Sequence, residues 1–199
     1  MFKKTILYLL KPLSFLPAII MMYVIFSFSA QSGTDSGNLS YTVSHKIVTF
    51  GNIVLQKGME DWEIDEKAYE IEYPVRKIAH MTEYFILAVT VSLPFYVYGL
   101  RGIWLMLVAG LICVGFACGD EYHQSFVDGR GPSAKDVGID SIGVFFGIMT
   151  VRICCWTVLA PARMMERSRR RWERKRAKQR AHEREMQRRH RKRGSWDEY

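Results

Sequence analysis

The sequence predicts an all-α membrane protein: a four-helix transmembrane bundle with an outer polar loop cluster and a basic cytoplasmic tail. Three observations carry that expectation. Apolar runs recur four times, each long enough as a helix to approach the roughly 30 Å of a bilayer's hydrocarbon core. Lys and Arg gather outside those runs, sixteen of the 28 lying between Arg163 and Arg193. Ionisable residues also crowd the stretch Gly119 to Gly147 (GDEYHQSFVDGRGPSAKDVGIDSIGVFFG), at the level where hydrocarbon should begin. Charges in such a place are expensive, so by default they are read as a functional site with partners.

In chain order, residues 1–12 form a short basic N-terminus carrying Lys3, Lys4 and Lys11. Residues 13–30 are the first span, uncharged, with Pro12 suited to the opening helical turn and Pro17 a mild bend. A cleaved signal peptide is the competing reading. The length of the apolar run and the mediocre cleavage site in SFSAQSG argue against it. Residues 31–73 are a polar excursion that begins with the turn-like composition QSGTDSGN. Val43, Ile47, Phe50 and Val54 then recur at helical spacing, predicting a helix on the membrane surface or capping the bundle and packed against it. The following EDWEIDEKAYEIEY is acidic, and Pro74 predicts the boundary before the next helix.

The second, third and fourth spans are expected at about residues 78–98, 102–119 and 137–160. Asp140 lies near the start of the last and Arg152 near its end, where a long side chain can snorkel to the headgroups. Cys113, Cys118, Cys154 and Cys155 all fall within apolar runs and read as small apolar side chains. With no CxxC and no Cys/His spacing, neither a disulfide frame nor a zinc site is expected. Residues 161–199 form the tail, partly helical or disordered, with a net charge of +10 against −2 for the remainder. Without an apolar stripe it reads as a solvated arm whose partner is anionic lipid. Nucleic acid is disfavoured, because no aromatic interleaving or recognised module accompanies the charge.

Topology follows from the basic residues. Both termini are basic, and four spans place them on one side, which the positive-inside rule makes the cytoplasm of a bacterial cell. Arg76, His80 and Glu83, then Asp120, Glu121 and Gln124, then Asp136 and Asp140, would all lie near the external face. Arg76, His80 and Glu83 share one side of a helix at i, i+4 and i+7. Asp136, Asp140, Gly143 and Gly147 share one side of another, and Gly143 with Gly147 forms a GxxxG that admits a close helix neighbour. Arg76, His80 and Arg130 are the expected partners of Glu83, Glu121, Asp136 and Asp140.

These residues carry a resemblance. RKIAHMTEYFIL followed by the central stretch resembles the VanZ-like family of small bacterial membrane proteins, over most of residues 10 to 160. The motifs are Lys77-x-x-His80-x-x-Glu83-Tyr84, Glu121-x-x-Gln124, Arg130 and Asp136-x-x-x-Asp140-x-x-Gly143, specific as a set. Family members often carry Asn where this chain has Asp140, and the basic tail lies outside the resemblance. It implies an envelope role of the kind associated with the founding member, low-level resistance to the glycopeptide teicoplanin.

Three functions compete for the polar cluster. The first is recognition of a membrane lipid headgroup, an envelope glycopolymer or a lipid-linked precursor. Its ligand-binding candidates are Arg76, Lys77, His80, Glu83, Glu121, Gln124, Arg130, Asp136 and Asp140. The second is catalysis on a lipid-linked or peptidoglycan-related substrate by His80, Glu121 and Asp140, although HExxH, a nucleophile elbow and a phosphate loop are all missing. The third is a set of buried ion pairs that only hold the fold. No cofactor is predicted and no metal is assigned; oxygen ligands of this kind would favour a divalent cation such as Mg²⁺ or Ca²⁺. Oligomerisation is left open. Four spans without an internal repeat leave little room for a transport pathway in a monomer.

Overall fold

The structure, a computed structural model, describes residues 12–194, and they are helical with no strand among them. The basic residues Lys3, Lys4 and Lys11 lie outside the described residues, as do residues 195–199. A 3-10 turn, Pro12–Phe15, leads into α1 (Leu16–Ser29). There follow α2 (Gly33–Leu55), α3 (Asp61–Val97), α4 (Ile103–Gln124) and α5 (Ala134–Gly194). Four segments are long and apolar enough to cross a membrane: Pro12–Ser29, Asp61–Val97, Ile103–Gln124 and Ala134–Val158.

The core is built from α1, α3, α4 and the first part of α5. Ile25, Tyr84, Leu87, Val91, Cys113 and Ile148 pack there with Ala18, Ala88, Ala109 and Ala117. Small side chains let helix backbones approach, the main packing device where lipid removes the hydrophobic drive between helices. Gly143 and Gly147 show this directly. A Cβ on Gly143 would strike the carbonyl oxygen of Met81, and one on Gly147 would lie 2.5 Å from that of Phe85 and 2.8 Å from the Ala88 Cβ. The glycine face of α5 therefore rests on the α3 backbone.

Two expectations about the polar excursion are corrected. QSGTDSGN is not a turn: α2 begins at Gly33, with Ser32 as its N-cap. Ser32 Oγ accepts from the Asp35 amide at 3.1 Å and donates to the Asp35 carboxylate at 2.6 Å. A serine followed three residues later by an acid is a helix start, and Ser, Gly and Asp suit such starts as well as turns. Nor does Pro74 end anything, since it sits inside the 37-residue α3. An internal proline forfeits a hydrogen bond and costs about 3 kcal/mol. Packing of the preceding turns against α2 offsets it: Ile64 and Ala68 are buried, Tyr41 donates to Asp65 at 2.7 Å, and the Tyr41 and Tyr69 rings lie 4.5 Å apart.

The stripe of α2 also differs from expectation. The helix packs on α3 through Gly37, Ser40 and Ser44, whereas Val43, Ile47, Phe50 and Val54 are 42, 50, 69 and 59% exposed. Small residues win the seam because the paired helices are close. The two form an antiparallel hairpin, joined at Lys57 to Glu60 after Gln56 turns the chain with a left-handed backbone (φ 49°).

By its contacts the chain forms two units, Met1–Arg152 and Ile153–Tyr199. In the second, the helix carries exposed basic side chains, the pairs Arg170–Glu166 (2.5 Å) and Arg169–Glu173 (3.3 Å), and Arg176 stacked over Trp172. In the first, the Arg152 guanidinium donates to the Met106 sulfur in the first turn of α4 at 2.6 Å. Among the cysteines, Cys113 is a buried thiol, but Cys118 and Cys154 face outward and do not fill the core.

Candidate functional site

Polar residues gather where α1 and α4 end and α5 begins. The innermost layer comes from α1, α3 and α4. Ser29 Oγ donates to Asp120 Oδ2 at 2.7 Å, Tyr84 OH to the same oxygen at 3.2 Å, and Gln124 Nε2 at 3.3 Å. Gln124 also donates to Ser29 Oγ at 3.2 Å. Three donors on one oxygen are how an acid that is only 4% exposed is held beside an apolar core. Its other oxygen, Oδ1, has no hydrogen-bond partner among the described residues.

Next to this layer is a chamber of about 10 Å³ lined by Lys77, His80, Glu121, Gln124, Asp136, Ile139 and Asp140. Lys77 Nζ pairs with Asp136 Oδ1 at 2.6 Å. Glu121 Oε1 accepts the Ser133 amide at 2.7 Å, which ties the loop 125–133 to the end of α4. Asp140 is 6% exposed and makes no hydrogen bond or ion pair with any described residue.

A larger cavity, about 120 Å³, lies on the other side of His80. Phe28, Gln31, Ser36, Leu39, Ser40, Arg76, Ala79, His80, Glu83 and Arg130 line it. Arg76 pairs with Glu72 and donates from Nε to Ser40 Oγ at 3.2 Å. His80 Nδ1 is 3.5 Å from Glu83 Oε2, one turn along its own helix. Arg130 arrives from the loop, and its guanidinium donates to the Phe28 carbonyl at 3.4 Å. Burial lowers its pKa from the ordinary guanidinium value, and the positive charge of Arg76 lowers it further. It stays protonated regardless, because guanidinium starts so high.

The loop reaches this position through a glycine contact. Gly129 holds φ 74°, a left-handed backbone. The Gly33 amide donates to the Asp128 carbonyl at 2.9 Å, and a Cβ on Gly33 would collide with the Gly129 carbonyl oxygen. The start of α2 is thus stitched to the loop that carries Arg130.

All nine ligand-binding candidates line one or other of the two cavities, and His80 lines both. The expected pairing is only partly right. Lys77, not an arginine, takes Asp136, and His80 takes Glu83. Arg76 turns away to Glu72, while Glu121 is met by a backbone amide. The sequence does not announce Ser29, Tyr84 and Asp120 as a hydrogen-bonded set. A serine closing an apolar run and a tyrosine beside Glu83 are the available signals, and neither reveals a partner 91 or 36 residues away. Among the described residues no three His, Cys, Asp or Glu side chains are grouped to hold a metal ion.

Four membrane-length helices around a core of small and aliphatic residues, capped by chambers of mixed charge, define a helical integral membrane protein with a polar pocket at one end of its bundle. Residues 14–155 match the model of the VanZ/LLP1 family, and the chain belongs to that family. No curated protein and no solved structure matches it.

Proposed function

We propose that this VanZ-like protein recognises a phosphate-bearing headgroup of the bacterial cell envelope in the Arg76–Arg130 cavity, and through it affects glycopeptide (teicoplanin) susceptibility. The observation that carries the reading is Arg130: a half-buried guanidinium with a carbonyl contact but no ion pair among the described residues, facing a second guanidinium across a cavity. Two like charges repel unless an anion lies between them, and a guanidinium fork matches phosphate oxygens. Gln31, Ser36 and Ser40 add polar groups to the wall, and Phe28, Leu39 and Ala79 give an apolar side against which a lipid chain can lie. The ligand class is therefore a phosphate or phosphodiester on a membrane lipid or lipid-linked precursor.

In this reading both termini are cytoplasmic, the cavities open to the exterior, and the basic tail rests near anionic inner-leaflet lipid. The Lys77–Asp136 pair and the Ser29–Asp120–Tyr84 set support a second role for part of the cluster, that of holding the helices in register. Two experiments test the proposal. Purified protein in nanodiscs is titrated with labelled phosphate-bearing envelope lipids; Arg130→Gln should weaken binding by about tenfold, the loss of one charge-assisted contact, and unchanged binding refutes the reading. In cells, a cysteine at Ser133 in a chain lacking its native cysteines should react with an impermeant thiol reagent from outside; labelling only from inside refutes the orientation.

A further inference from the structure

Resting on the recognition reading above, we propose that the arginine cavity and the carboxylate chamber form one bipartite site for a zwitterionic headgroup: a phosphate ester carrying a primary amine a few bonds away. Most charges around the two cavities already have partners. Lys77 is committed to Asp136 at 2.6 Å, His80 to Glu83 at 3.5 Å, and Arg76 to Glu72. Glu121 already accepts the Ser133 amide. Three charged side chains on the cavity walls make no ion pair with a described residue: Arg130 on one side, Asp140 and Glu121 on the other. Asp140 is 6% exposed, and within the chamber only the His80 imidazole acts on it as an opposite charge, without a hydrogen bond.

The chamber wall carries three carboxylates against Lys77 and His80, and the larger cavity carries Arg76, Arg130 and His80 against Glu83. Excess charge of one sign is costly in a low-dielectric site, so each side favours a ligand group of the opposite sign. A phosphate answers Arg130. At Asp140 the choice is between a hydroxyl and an ammonium. The chamber, about 10 Å³, admits about one water-sized group. A hydroxyl of that size donates one hydrogen bond and adds no positive charge to a wall with more carboxylates than cations. An ammonium donates three N–H groups and supplies the missing positive charge. His80 lines both cavities, so a single short ligand that fills both lies against it.

Wild-type protein in micelles of an uncharged, phosphate-free detergent is titrated with phosphatidylethanolamine and its N-acetylated derivative, which differ only at the amine, and with phosphatidylglycerol and phosphatidic acid. The expected result is about tenfold tighter binding of the free amine than of the acetylated lipid, the worth of one desolvated ion pair. Asp140→Asn should abolish that preference while leaving phosphate binding, and Asp140→Glu should restore it. Arg130→Gln should weaken all the phosphate lipids together. Displacement by soluble O-phosphoethanolamine would assign the site to the headgroup alone, and failure to displace would assign it to the intact lipid; both accord with the charge pattern. Equal affinity of wild type for the amine and its acetylated form overturns the inference, whatever the variants do, and leaves recognition standing if Arg130→Gln still weakens binding. Absence of any Arg130-sensitive phosphate binding removes both.

Discussion

Substituting Gly143 by alanine tests the contact on which the placement of Asp140 depends. The added methyl would meet the Met81 carbonyl oxygen and come within 3.0 Å of its carbon. Neither is the far end of a flexible side chain, so α5 must move away from α3. Overpacking of this kind costs about 1–3 kcal/mol. Alanine returns up to about 1 kcal/mol through helix propensity. Gly138→Ala isolates that gain, because Gly138 lies on the same helix and a methyl added there would meet nothing within 4 Å. The difference between the two variants is then the packing cost alone, about 1–3 kcal/mol, with Gly143→Ala the less stable. Unfolding in mixed micelles, titrated with denaturing detergent and followed by circular dichroism, measures both. Equal midpoints for Gly143→Ala and Gly138→Ala would refute the close approach of α5 to α3.

Two further outcomes follow from the hydrogen bonds. Ser29→Ala removes the shortest donor to Asp120, 2.7 Å away and buried, and should cost about 1–3 kcal/mol in the same unfolding assay, the usual penalty for depriving a buried acceptor; a neutral effect would show that Asp120 does not depend on α1. Tyr41, on α2 outside the spans, has its phenol pushed up to about 12, chiefly by its hydrogen bond to Asp65. Because the folded state favours the protonated phenol, this contribution is complete below the ordinary tyrosine value of about 10 and is lost as pH rises through about 12. Phenolate absorbance should therefore show one tyrosine ionising late in the wild type and near the ordinary value in Asp65→Asn.

The helical class and the membrane setting are legible in the order of residues alone, because an apolar run of span length has few alternatives once backbone groups must be satisfied without water. The polar ends of three helices and the glycine face of α5 are legible too, since i, i+4 spacing on a helix is a local property. The start of α2 and the continuity of α3 through Pro74 are not. Caps are local, but whether Ser32 opens a helix or a turn depends on what the next three turns pack against.

Which charges meet is settled in three dimensions. Lys77 and Asp136 are distant in the chain and pair because α5 lies on α3 at Gly143. Arg130 makes no ion pair with a described residue because Gly33 and Gly129 pull its loop towards α2, where Glu72 is already taken by Arg76. Electrostatic pairing falls off over a few ångströms, so small differences in helix packing choose the partners. Spacing along the chain can bring charges to one level of the membrane, but it does not say which of them will be left without a counter-charge.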